Sequence, residues 1–186
     1  MNILPREFYL QDTILVAKNL LGKKIVRKIG NQKISGIITE TEAYRHMDDP
    51  ASHAYKRMTE RNKAMFEDVG RAYVYFTYGM HYCFNVVAKN SEFDAGAVLI
   101  RAIEPKEGLE IIKKNRKISD FRNLTNGPAK LTQALQISKE HYGIDLTKNG
   151  ELFITEGIVK QKRITSNPRV GIKEATEKMW NFRIKI

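Results

Sequence analysis

Two stretches that alternate residue type about short turns constrain this chain more than anything else in it. Lys23 to Ile29 meets a turn at Gly30-Asn31 and returns as Lys33 to Tyr44, while Ala72 to Thr77 and His81 to Ala88 flank Tyr78-Gly79-Met80. Period-two runs on either side of a glycine-containing turn predict antiparallel hairpins. A fifth strand is expected from Ala97 to Glu104, broken by Pro105. Helical signals are short. Asp12 is a plausible N-cap for Ile14 to Leu21, with Gly22 as the stop, and Thr59 can cap a helix through Phe66. Lys106 to Arg116 has Leu109, Ile111 and Ile112 inward, and Asn126-Gly127-Pro128 opens a helix running to about Gln136. Leu152 to Thr155 and a basic segment from Lys160 to Arg169 follow. No repeat, low-complexity tract or linker marks a boundary, so 1-186 is read as one domain.

The chemistry concentrates on the second arm of the first hairpin. Ile38, Glu40, Glu42 and Tyr44 alternate, and residues two apart on a strand share a face. Two carboxylates and a tyrosine ring on one face suit a cleft for a flat polar ligand better than a core. Arg101, within Leu-Ile-Arg-Ala-Ile-Glu, is a charge among apolar neighbours and needs a partner. Pairing with Glu42 would hold that carboxylate ionised and aimed, as a general base requires. The plainer reading is a pair of solvated or ion-paired structural glutamates, with a salt bridge the default for Glu40.

Tyr73 and Tyr75 share a sheet face, and Tyr78 falls at a hairpin tip beside Met80. A large flat ring there is a candidate wedge for insertion between stacked bases; packing on its own hairpin is the alternative. The polar loop 45-58 carries His46, Asp48, Asp49 and His53, whose spacing matches no zinc pattern, so no metal is expected. The start of the helix at Asn126-Gly127-Pro128-Ala129-Lys130 could hold a phosphate, and 127 to 143 has a faint helix-turn-helix look. Cys83, between Tyr82 and Phe84, reads as a buried inert thiol.

Charge narrows the partner. With 32 Lys and Arg against 21 Asp and Glu, the chain carries +11, which favours polyanions because each neutralised phosphate releases counterions. A single cysteine permits no internal disulfide. The amino terminus has no signal-peptide apolar core, and runs such as Ile14 to Ala17 are far too short to span a bilayer. A soluble cytoplasmic protein with no membrane partner is expected.

Several strings occur together and in order: Thr39-Glu-Thr-Glu-Ala-Tyr44, Asp49-Pro-Ala-Ser-His-Ala54, Arg61-Asn62, Met65-Phe66, Tyr73-Val-Tyr-Phe-Thr-Tyr-Gly-Met80, Asn85-Val-Val87, Leu99-Ile-Arg-Ala-Ile-Glu-Pro105, Gly127-Pro-Ala-Lys-Leu131 and Arg169-Val-Gly171. Any one is weak, but in register they closely resemble the alkyladenine (3-methyladenine) DNA glycosylase family over nearly the whole chain. The resemblance implies an α+β fold, a curved antiparallel β-sheet or partial barrel with short flanking helices. It implies a base-excision repair enzyme, acting as a monomer on damaged double-stranded DNA. Such an enzyme flips alkylated or deaminated purines (the 3-methyladenine, 7-methylguanine and hypoxanthine class) out of the duplex. It then hydrolyses the N-glycosidic bond, monofunctionally and without metal or organic cofactor.

By motif match Glu42 would activate water and Arg101 would help place it. Tyr44 and His53 would line one side of the base and Tyr75 the other, with Asn85 crowding the amine of a normal guanine. Tyr78, beside Met80, would fill the gap in the duplex. The chain departs from the family at its carboxyl end, where Trp180 precedes Asn181-Phe182-Arg183 rather than Arg-Phe-Tyr, which bears on DNA contacts from the extreme carboxyl end. It departs again at Arg45-His46-Met47, Arg57 and Glu60, where relatives tend to carry Gly and Pro. Two other classes compete. One is a catalytically silent nucleic-acid-binding module. The other is a metal-dependent nuclease built on the His46 to His53 loop, which loss of activity in EDTA would identify.

Overall fold

A computed structural model describes residues 2–157 and 163–186. Both hairpins form. β1 (Lys24–Ile29) pairs antiparallel with β2 (Gln32–Arg45), and β3 (Ala72–Thr77) with β4 (His81–Val87). β5 (Gly96–Glu107) joins β4 to β2, and β6 (Leu152–Thr155) closes the far edge on β1, giving the order β3-β4-β5-β2-β1-β6. Two short strands complete the sheet: β7 (Thr165–Asn167) pairs with β8 (Asn181–Arg183), and β8 pairs with β2 at Glu40 to Glu42. The antiparallel sheet curls into a half-barrel flanked by α1 (Arg6–Tyr9), α2 (Thr13–Leu20), α3 (Leu109–Arg116) and α4 (Pro128–Ala134), an α+β fold.

The strand carrying the glutamates is not one continuous alternation. Register shifts between Ile38 and Thr41 mark a bulge against β5. Before it, Ile34 and Ile38 enter the main core; after it, Ala43 enters that core and Thr41 Oγ donates to Ala17 O of α2. The bulge therefore turns the even positions outward, and Glu40, Glu42 and Tyr44 face away from the core that Ile38 joins. Asp12 caps α2 by accepting from Ile14 N and Leu15 N, and also takes Arg45 Nη1 at 2.6 Å, tying the helix start to the end of β2.

Three sequence expectations need correction. β5 continues through Pro105 to Glu107. Beyond Leu99 it no longer pairs with β4, so a proline there sacrifices little. Opposite it stands Gly36, where a Cβ would meet Glu104 O at 2.8 Å. Only Lys63–Phe66 of the helix expected after Thr59 forms, as a 3₁₀ turn. The segment is organised instead by buried Asn62, whose Nδ2 donates to His53 O at 2.7 Å and Arg57 O at 3.0 Å. After α4 comes a 3₁₀ turn, Lys139–His141, rather than a second recognition-type helix. Lys160 lies outside the described residues. Among those described, no helix is long and apolar enough to cross a membrane.

Candidate active site

Strand pairing brings distant residues into one row. Tyr73 is opposite Asn85, Asn85 opposite Leu99, Leu99 opposite Glu42, and Glu42 opposite Asn181, so a single line crosses β3, β4, β5, β2 and β8. Side chains of this row and of every second row beside it share a sheet face. On that face lies a cavity of about 500 Å³, within the range of small-molecule sites. Tyr44, His53, Tyr75, Asn85, Arg101 and Tyr78 all line it. Tyr75 packs against a small buried cluster, of which Met65, Tyr73 and Ala97 also line the cavity.

The rings are not distributed as expected. His53 packs edge-on to Tyr75 with centroids 4.7 Å apart, and its Nδ1 pairs with Tyr73 Oη at 2.9 Å. His53 therefore belongs to the wall of Tyr73 and Tyr75, because nothing flat fits between rings already in contact. Tyr44 is separate. Arg169 covers one face of its ring at 4.7 Å. Asn85 is immobilised by donating from Nδ2 to Tyr73 O at 3.0 Å.

Glu42 lies under this cavity rather than on its surface, with no exposed area. Four donors hold it: Val170 N at 2.8 Å and Asn181 Nδ2 at 2.9 Å on Oε1, and Tyr44 Oη at 2.7 Å and Arg101 Nη1 at 3.3 Å on Oε2. Burial and then the Glu42 charge push the Tyr44 phenol well above its usual range, so the hydroxyl remains a donor. Arg101 makes its shorter bond not to Glu42 but to Glu40, Nε to Oε1 at 2.8 Å. Glu40 is thus an ion-paired residue, reached also by Asn181 Nδ2 and Arg183 Nη2.

The residues that sequence reasoning passed over lie at the carboxyl end. Arg169 makes a bidentate pair with Asp49, both bonds 2.6 Å with both side chains fully buried, and donates to Ala43 O at 2.9 Å. Asn181, in the atypical carboxyl end, is buried against both glutamates, so this departure reaches the site itself. The loop departure also has a structural counterpart: Met47 adopts φ 71, a conformation glycine tolerates better. Asp48 pairs with Arg45 and Asp49 with Arg169, and the described residues contain no cluster of three metal-ligating side chains. Lys130 is held by Asn123 and Asn126 rather than reaching across the start of α4. Cys83 is buried, which pushes its thiol up, and it contributes to the cavity lining.

Tyr78 projects from the hairpin tip, 83 % exposed, with Met80 beside it at 68 %. Tyr78 and Gly79 have φ 52 and 66, and Met80 N donates to Thr77 O, so both central turn residues are left-handed. Glycine accepts this freely; tyrosine pays about 1–2 kcal/mol for it. Tyr78→Asn, which restores an Asn-Gly turn, is therefore expected to stabilise the fold by about 1 kcal/mol, raising Tm by roughly 2–4 °C. A thermal melt measures this, and a lower Tm would contradict it.

His53 gives a pH test. Desolvation by the rings packed on it, then the nearby Arg61 charge, push its pKa from 6.5 down toward about 4, and because the residue is still exposed to solvent along the cavity the shift is screened in part. Above pH 6.5 the ring is neutral whether folded or unfolded. Below it the unfolded chain binds a proton that the folded chain refuses, so stability drains away between 6.5 and 4. An imidazole NMR titration should show no midpoint near 6.5, and His53→Gln should flatten the acid slope of stability.

A buried carboxylate bonded to a cavity-lining arginine, an aromatic cavity above it and a projecting hairpin ring on a basic chain together make a site suited to a flat polar ligand on a polyanion. The family model described as methylpurine-DNA glycosylase (MPG) matches residues 7–186. Among curated relatives, a "Putative 3-methyladenine DNA glycosylase" of Carboxydothermus hydrogenoformans is 48% identical over 98% of this chain and 95% of its own. Proteins of the same name from Clostridium acetobutylicum (46% identical, 98% and 94% covered) and Prosthecochloris aestuarii (48%, 94% and 84%) are similarly close. The chain belongs to the methylpurine-DNA glycosylase family and is an N-glycosyl hydrolase of that type.

Proposed function

We propose that this protein acts as a monomer on damaged duplex DNA. It everts an alkylated or deaminated purine into the cavity and hydrolyses its N-glycosidic bond with a water activated by Glu42. The observation that carries the reading is Glu42, buried beneath the cavity and bonded to Arg101, which lines it together with Tyr44, His53 and Tyr75. Of the four contacts on Glu42, the 3.3 Å one to Arg101 is the longest, and Arg101 keeps Glu40 as a partner without it. With that contact opened, a water entering from the cavity would accept from the guanidinium and donate to Oε2. As the N-glycosidic bond to C1′ breaks, positive charge grows on the sugar, which Glu42 stabilises. The water oxygen then bonds to C1′, its proton passes to Glu42, and the bond electrons leave with the purine.

Eversion costs a few kcal/mol, and stacking on aromatic rings returns about 1–3 kcal/mol per base. Tyr78, already held out from the sheet, would occupy the vacated stack with Met80 beside it. A neutral His53 spares a cationic methylpurine a second positive charge. Asn85, fixed on Tyr73 O, would crowd the 2-amino group of undamaged guanine. The +11 surplus supplies sequence-independent attraction to phosphates. Incubation with methylated duplex, followed by chromatography, should yield free methylated purines and unbroken strands bearing abasic sites, with EDTA making no difference. Release of no base, or strand scission without it, would reject the reading.

A further inference from the structure

Asn181 stands opposite Glu42 in the pairing of β8 with β2, and has no exposed surface. Its Nδ2 donates to Glu40 Oε1 at 2.8 Å and to Glu42 Oε1 at 2.9 Å, so its two amide protons serve two carboxylates. Its Oδ1 accepts from Arg183 Nε at 3.0 Å. That contact assigns the amide: reversed, Nδ2 would face a guanidinium and Oδ1 two carboxylates. The result is a one-way chain from Arg183 through Asn181 to the glutamates.

We infer that Asn181 is a positioning residue for hydrolysis, filling Oε1 of Glu42 from below so that Oε2 is left to Tyr44 and Arg101. Oε1 meets Val170 N and Asn181 and Oε2 meets Tyr44 and Arg101; Val170, Tyr44 and Arg101 line the cavity, whereas Asn181 is fully buried beneath it. Two adjacent carboxylates favour taking up a shared proton. Two donated hydrogen bonds from one neutral amide oppose that without adding a cation that would compete with Arg101. The charged and titratable groups around Glu42 are Glu40 and Tyr44 on its own strand, Cys83 on β4, Arg101 on β5, Arg169 behind Tyr44, and Arg183 on β8. None of them replaces the Asn181 contact on Oε1.

The inference rests on Glu42 being the base, and the test separates the two. Single-turnover base release from methylated duplex is measured from acid to neutral pH for Asn181→Asp, which keeps the shape, and Asn181→Leu, which removes the donors. DNA affinity is measured in parallel. Loss of a hydrogen bond to the charged form favours protonation, so the acid limb of the rate profile should move up by about one unit or more. Affinity should stay within about threefold of the parent, far less than the one-unit, tenfold effect on the acid limb. If Asn181→Leu fails to fold, Asn181→Asp carries the test alone. A uniform fall in rate with an unmoved acid limb would mean a merely structural residue and overturn the inference. If Glu42→Gln still turned over, the base assignment itself would fall and this inference with it. An inert Glu42→Gln beside an unmoved Asn181→Asp profile would remove the inference only.

Discussion

Glu42→Gln is expected to lower single-turnover base release by about 10²- to 10⁴-fold, the span a general base contributes, while leaving affinity for damaged duplex within a few-fold of the parent. The substitution is less neutral here than at an exposed site. Four donors converge on the carboxylate, and an amide offers one accepting oxygen and two protons. The oxygen should stay with Val170 N and Asn181 Nδ2, which are fixed by backbone and burial. The new NH2 then faces Tyr44 Oη, which can rotate its proton and accept, and Arg101, which cannot. Arg101 retains Glu40, so no charge is left unpaired. A stability loss of about 1–3 kcal/mol follows from the imperfect match, and a thermal melt should confirm that the variant is folded at the assay temperature. Base release within tenfold of the parent, from a folded variant, would remove Glu42 from the chemistry.

The strands that position this residue were legible in the sequence because long hairpin arms repeat every two residues and their turns carry glycine. Bulges are not legible that way. The shift between Ile38 and Thr41 leaves the polar pattern at Glu40, Glu42 and Tyr44 intact while reversing which face Ile38 meets. β7 and β8, at three residues each, are too short to show any period, and β8 holds Asn181 against Glu42 from 139 residues away. Motif strings named the cavity residues but not their arrangement. His53 sits with Tyr75 because Asn62 fastens the loop backbone at His53 O, a contact nothing in the local pattern announces. Arg101 read correctly as a charge needing a partner, yet the nearer partner is Glu40, since Glu42 is shared among four donors.

The Asp49–Arg169 pair should be the most consequential contact for stability. Removing Arg169, as in Arg169→Met, leaves Asp49 without its partner while its side chain is fully buried, and breaking one partner of such a pair costs about 3–5 kcal/mol. At roughly 2–4 °C per kcal/mol for a chain of this size, Tm should fall by about 6–20 °C. The loss goes beyond the pair. Arg169 spans Ala43 O on β2, Asp49 in the following loop and the rings of Tyr44 and Trp180, so three separate stretches lose a common anchor. Its neighbour Val170 supplies the backbone N–H on Glu42, so base release should slow as well, even at temperatures where the variant remains folded. Asp49→Leu combined with Arg169→Met removes both charges, and should recover most of the stability because the desolvation cost disappears with the attraction. It should not recover the rate, since Val170 and the Tyr44 ring would still lack the guanidinium that holds them. Denaturant midpoints for the two single variants and the double variant measure the coupling directly. A loss below about 1 kcal/mol in Arg169→Met, the level of an exposed pair, would show that the guanidinium does not carry the buried carboxylate.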